Sequence, residues 1–76
     1  MKGTLDMGAE YKEYIQSYPP LLTRRDLEAI LEVSKPTALK LVREAEKYNY
    51  FPVKRLGPSR IIRVPRDAFF DWLGSY

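Results

Sequence analysis

Lys40, Arg43 and Lys47 recur at spacings of three and four. Shortly after them, the stretch VKRLGPSRIIRV (Val53 to Val64) places Lys54, Arg55, Arg60 and Arg63 around a Gly-Pro turn. Ammonium and guanidinium groups perform no covalent chemistry unaided. What they do well is bind anions, and the planar guanidinium fork matches phosphate oxygens in particular. Like charges crowded on a small hairpin repel one another, so the fold by itself has no use for them. Their distribution along the chain is uneven. Residues 33–66 hold nine cations against Glu44 and Glu46, net +7, while residues 1–32 and 67–76 are each net −2, and the whole chain is +3. Such segregation produces a directional field suited to a polyanion, although a solvated face is the ordinary use of a lysine-rich helix.

Composition narrows the alternatives. At 76 residues and 45% apolar, the chain has material for one domain with one small core. It holds no cysteine and no histidine, which removes a disulfide framework, Cys/His metal sites, and thiol or imidazole catalysis. The carboxylates are scattered, with no paired acid site and no phosphate-cradling glycine loop, so neither an enzyme nor a cofactor is expected. The N-terminal stretch MKGTLDMGAEYKEY has no continuous apolar run, so no signal peptide or membrane span is expected and the expected location is the cytoplasm.

The elements that must position the cations follow from periodicity and breakers. Residues 1–20 form a leader ending in Tyr18-Pro19-Pro20. Within it Tyr11, Tyr14, Ile15 and Tyr18 repeat at helical spacing, which describes a short amphipathic helix over Ala9 to Ser17 or a disordered tail that orders on a partner. A domain over residues 21–76 follows. Thr23 and Asp26 make a capping-box variant ahead of the apolar stripe Leu27, Ile30 and Leu31. Ser34 as N-cap and Pro36 in a first turn start a second helix at Lys35, with core positions Ala38, Leu41, Val42 and Ala45. Its opposite face carries Pro36, Lys40, Arg43 and Lys47. Two short helices joined tightly, the second basic on its outer face, describe a helix-turn-helix. Tyr50 to Leu56 then reads as a strand, Gly57-Pro58-Ser59 as a turn and Arg60 to Val64 as a returning strand, with Ile62 and Val64 inward and Arg63 outward. Pro65 opens a last helix with Phe69, Trp72 and Leu73 on one face.

From Leu22 to Leu73 the chain resembles the excisionase-like winged helix-turn-helix family, a small relative of MerR-type DNA-binding domains. The residues that carry the resemblance are Leu22-Thr23, Ile30-Leu31, Val33-Ser34-Lys35, Thr37, Leu41-Val42-Arg43-Glu44, Val64-Pro65-Arg66-Asp67-Ala68 and Trp72-Leu73. Three positions depart from it. Glu32 stands where the family usually has glycine, Glu28 where a small apolar residue is usual, and Phe70 where the family is polar. The resemblance implies an α+β fold: helix-turn-helix, two-stranded hairpin wing and C-terminal helix. It also implies a recombination directionality factor that binds and bends double-stranded DNA beside an integrase attachment site, often cooperatively with further copies. An integrase or recombinase is then a partner.

On these readings Lys35, Thr37, Lys40 and Arg43 face the major groove, with Arg43 or Lys40 suited to guanine and Lys47 to phosphate. Arg60 at the hairpin tip is the candidate for a narrow minor groove, flanked on phosphates by Lys54, Arg55 and Arg63. Arg24 and Arg25 are candidates for backbone phosphate. Phe70 is either exposed to a partner or part of a core enlarged by the leader's tyrosines. A small transcriptional regulator of a mobile element is the alternative within DNA binding. Outside it stands an adaptor in which the hairpin and Phe70 bind an acidic protein.

Overall fold

The computed structural model describes residues 10–75. The expectations for residues 1–9, among them Ala9 and the charges of Lys2 and Asp6, and for Tyr76 lie outside the described residues. The chain is α+β. Helix α1 (residues 10–16) precedes β1 (Leu21–Leu22), α2 (Arg24–Leu31), α3 (Lys35–Tyr48), β2 (Lys54–Leu56), β3 (Ile61–Pro65) and α4 (Arg66–Gly74). The sheet is antiparallel with β3 in the middle, in the order β1-β3-β2.

Local chemistry sets most of the boundaries. The Thr23 hydroxyl accepts from the Asp26 amide at 3.1 Å, and the Asp26 carboxylate accepts the Thr23 amide at 2.9 Å, so both members of the box are satisfied at the start of α2. Glu32 ends that helix in the left-handed region, φ 55°, and its amide and that of Val33 both turn back to the Glu28 carbonyl. Ser34 occupies the N-cap of α3 as expected, but its hydroxyl bonds the Thr37 hydroxyl at 3.2 Å rather than a backbone amide. Pro36 sits in the first turn, where its missing N–H is harmless. Asn49, also left-handed at φ 59°, closes α3.

Leu22, Leu27, Val42, Ala45, Phe51, Val64, Phe69 and Phe70 form the buried core, with Ile30, Leu31, Leu41, Ile62, Trp72 and Leu73 packed around it. Leu22 and Val64 are a cross-strand pair and both are fully buried. The two leucines of β1 carry no period long enough to be read as a strand in sequence. They are ordered by the partner strand, and they fix where α2 begins.

Three expectations are corrected. The first hairpin strand is Lys54–Leu56, shorter than Tyr50 to Leu56. Pro52 has no donor for a ladder, the Tyr50 amide is held by the Ala45 carbonyl at 3.3 Å, and Phe51 turns into the core against Phe69. Arg60 belongs to the turn and not to the returning strand, at φ 54° with its amide on the Gly57 carbonyl at 3.1 Å. Pro65 ends β3 and caps α4, so the last helix starts at Arg66. Of the two readings of Phe70, the structure has the core enlarged by the leader's tyrosines: the ring is buried, 3% exposed, with those of Tyr11, Tyr14 and Tyr18 around it at 6.1, 5.9 and 6.2 Å. The leader segment from residue 10 therefore folds back on the domain. Arg66 secures it there: its amide donates to the Pro20 carbonyl and its Nη1 to the Tyr18 carbonyl, each at 2.8 Å.

The left-handed glutamate between α2 and α3 gives a direct test of this geometry. Glu32→Gly removes a Cβ from a conformation that disfavours it, so stability should rise by about 1 kcal/mol. For a domain of this size that is a rise in Tm of about 4–8 °C. Thermal melting that shows a loss instead would mean that residue 32 is not left-handed.

Candidate nucleic-acid interface

Helix α3 supplies the first half of the candidate interface. Lys35, Thr37, Lys40, Arg43 and Lys47 are all exposed, and Ala38, Val42 and Ala45 on the opposite face are buried. At about 100° per residue, Leu39 and Glu46 fall together on the flank between these faces, with Arg43 about 40° from Leu39. That flank is the one turned to the hairpin. Leu39 lines a cleft with Arg60, Ile61, Ile62 and Arg63, and Glu46 binds Arg55 of β2. The cationic face of α3 and the hairpin are thus neighbours.

Arg55 has a different task from the phosphate contact expected of it. It pairs with Ile62 across the hairpin, on the face turned to the helix, and its guanidinium meets Glu46 through Nε–Oε2 at 2.8 Å and Nη2–Oε1 at 2.9 Å. This fork-on-carboxylate geometry ties β2 to α3 at a fixed distance. The Arg55 hydrogen bonds hold the Glu46 carboxyl below its ordinary value of 4.5, with partial burial opposing and the charges of Arg55 and Arg60 assisting.

The second half is a cleft of about 390 Å³ between the start of α2 and the hairpin. Its lining includes Arg24, Arg25, Arg60 and Arg63, with Leu39 on its α3 side. Arg24 is partly neutralised by Glu28 one turn along its helix. Arg63 donates from Nη1 to the Ile62 carbonyl at 2.8 Å and stands directly opposite Lys54, both on the outer face of the hairpin. Two cations directly opposed on an exposed face are unfavourable without an anion between them. Among the described residues, no carboxylate lies within ion-pairing distance of Lys35, Lys40, Arg43, Lys47, Lys54, Arg60 or Arg63. The Lys47 ammonium lies over the Tyr48 ring, 5.4 Å from its centre.

Of the nine candidate residues, seven carry cationic groups that other side chains leave largely free, while Arg55 is held by Glu46 and the Thr37 hydroxyl bonds that of Ser34. Two features escaped the sequence. One is a stack of rings, Tyr48 on Tyr50 at 5.9 Å and Tyr50 on Trp72 at 5.4 Å, in which Trp72 is only half-buried. The Tyr-Asn-Tyr spacing contained the tyrosines, but the left-handed turn at Asn49 is what aligns them. The other is the pair of exposed apolar side chains Leu56 and Ile61 at the hairpin tip. Comparison with family models, with curated proteins and with solved structures finds no match to this chain.

The Arg55–Glu46 bridge has a measurable signature. A carboxylate with a depressed folded-state value contributes stability that is present above the unfolded value and lost as pH falls through the folded one. Both partners are partly solvated, so a double-mutant cycle with Glu46→Gln and Arg55→Gln should give a coupling of about 1 kcal/mol or less at neutral pH. The stability difference between wild type and Glu46→Gln should close as the pH drops below 4.5 and the carboxyl protonates. Denaturant titrations across that range check it, and a difference that persists in acid would contradict the pairing.

Proposed function

We propose that this chain is a sequence-specific double-stranded DNA-binding protein of the winged helix-turn-helix type, without catalytic activity. In this reading α2 and α3 are the helix-turn-helix, α3 enters the major groove, and the β2–β3 hairpin is the wing. The observation that carries the reading is the shared cleft. It places Arg24, Arg25, Arg60 and Arg63 beside the flank of α3 that adjoins Lys40 and Arg43, so one backbone strand crossing it would meet cations from three elements. Arg43 and Lys40 read base edges, Lys35 and Thr37 lie at the entry of the helix, and Lys47 and Lys54 meet phosphate. Arg60 is at the wing tip, where a narrow minor groove concentrates negative potential.

Within DNA binding, the resemblance of residues 22–73 to excisionase-like domains supports a recombination directionality factor acting beside an integrase, with a transcriptional regulator of a mobile element as the alternative. The adaptor reading needed Phe70 as an exposed anchor. That ring is packed under the tyrosines of the leader and is not available as a surface anchor.

Selection of bound duplexes from a random pool at near-physiological salt is the decisive experiment, with an enriched motif as the expected result. If about four to six cations meet phosphate, log K should fall against log[salt] with a slope of about −3.5 to −5.5. A flat salt response, or no duplex binding at low salt, would overturn the proposal.

Single substitutions divide the interface. Lys40→Ala and Arg43→Ala should leave melting unchanged and each cost about 1–3 kcal/mol of discrimination at one base position. Arg60→Gly should separate folding from binding. It relieves a left-handed residue, so stability should hold or rise. The lost phosphate contact should shrink the salt slope by about one unit. Equal salt slopes for wild type and variant would take Arg60 out of the interface.

A further inference from the structure

Leu56 and Ile61 are the last paired residues before the hairpin turn, and their side chains share its outer face. They are 46% and 47% exposed, as much open to water as any large apolar residue of the described chain except Tyr48. Hairpin tips are where polar residues are normally placed, and an isolated exposed leucine would call for no explanation. Here two branched side chains stand directly opposite each other, with Pro58 in the turn beyond them and no core for either to join. Every charged residue of the hairpin is a cation: Lys54, Arg55, Arg60 and Arg63, with no carboxylate between Phe51 and Arg66. Arg55 is held by Glu46, while Arg60 and Arg63 line the cleft beside Ile61.

An apolar tip ringed by cations is complementary to a surface that is anionic outside and apolar just within. A DNA minor groove has that character at a step that opens: phosphates line its rims, base edges form its floor, and the apolar base faces lie within the stack. Resting on the DNA-binding reading, we propose that Leu56 and Ile61 form a wedge that enters the minor groove and partly unstacks one base step, kinking the duplex. Apolar wedges flanked by basic residues bend DNA by about 20–90° towards the major groove. The Arg55–Glu46 bridge links β2 to α3, so the tip stands beside the helix that this reading seats in the adjacent major groove. Pyrimidine–purine steps, which unstack most easily, are the expected points of entry. A lipid surface also combines anionic headgroups with an apolar interior, but two side chains bury too little area to hold a protein there.

The test compares wild type with Leu56→Thr/Ile61→Thr, a pair that places β-branched residues, which suit strands, at both exposed positions and should not alter melting. Duplexes recovered by selection, labelled at both ends, report bending by energy transfer, and vesicles of phosphatidylserine and phosphatidylcholine serve as the lipid probe. Wild type should shorten the end-to-end distance. The double variant should still bind the duplex, with affinity reduced about ten-fold or more by the lost apolar contacts, and should leave it nearly straight. Ile61→Phe, a larger wedge, should bend at least as strongly as wild type, which keeps the test informative if the double variant melts early. Binding with an unchanged bend in the double variant, or binding without any bend in wild type, would overturn the wedge and leave DNA binding standing. Vesicle binding that depends on Leu56 and Ile61, with bending unaffected by the double variant, would overturn it in favour of a membrane contact. Absence of duplex binding by wild type would overturn the underlying reading and the wedge together.

Discussion

The Leu22–Val64 cross-strand pair is the contact on which the remaining structure hangs. Both side chains are fully buried, and their strands bring the two ends of the domain together: β1 lies between the leader and α2, β3 between the hairpin turn and α4. A chain this short has one core, and losing a fully buried branched side chain from such a core typically costs a large part of total stability. The register of β3 also decides which cations face outward. With Val64 and Ile62 turned to the helices, Arg63 and Ile61 must turn away, because side chains alternate along a strand.

The charges divide into those the fold uses and those it leaves free. Glu28 answers Arg24, Glu46 answers Arg55, and Asp67 answers Arg66, whose guanidinium also holds the leader. The remaining cations of α3 and the hairpin have no such partner among the described residues, and two of them, Lys54 and Arg63, are directly opposed. Self-repulsion of this kind disfavours the compact state and favours association with a polyanion. The same bridge that removes Arg55 from the free set holds the hairpin against α3, so its contribution is to the relative position of two surfaces rather than to either one.

Rings do comparable work on the far side of the core. Phe69 packs against Phe51, while its neighbour Phe70 closes the contact with Tyr11, Tyr14 and Tyr18. Adjacent residues on a helix point about 100° apart, so two consecutive phenylalanines can both be buried only where the helix is covered on two sides. Helix α4 meets that condition because the leader lies across it.

Elements with strong local signals were determined by the sequence itself. The Thr23/Asp26 box, Pro36 in a first turn and the 3–4 spacing of Ala38, Leu41, Val42 and Ala45 specify α2 and α3 within a few neighbouring residues, and the same spacing puts Lys40 and Arg43 on the outer face. The Gly-Pro turn likewise announced a hairpin. What only the tertiary structure decided depends on residues distant in sequence. Leu21–Leu22 is a strand because Val64 and Pro65 lie beside it. Phe70 is buried because the leader folds back, Arg55 is a strut because Glu46 comes within reach, and four arginines share a cleft because α2 begins next to the hairpin. Periodicity reports which way a side chain points from its own element. It carries no information about what another element places opposite, and that is set by how one small core closes.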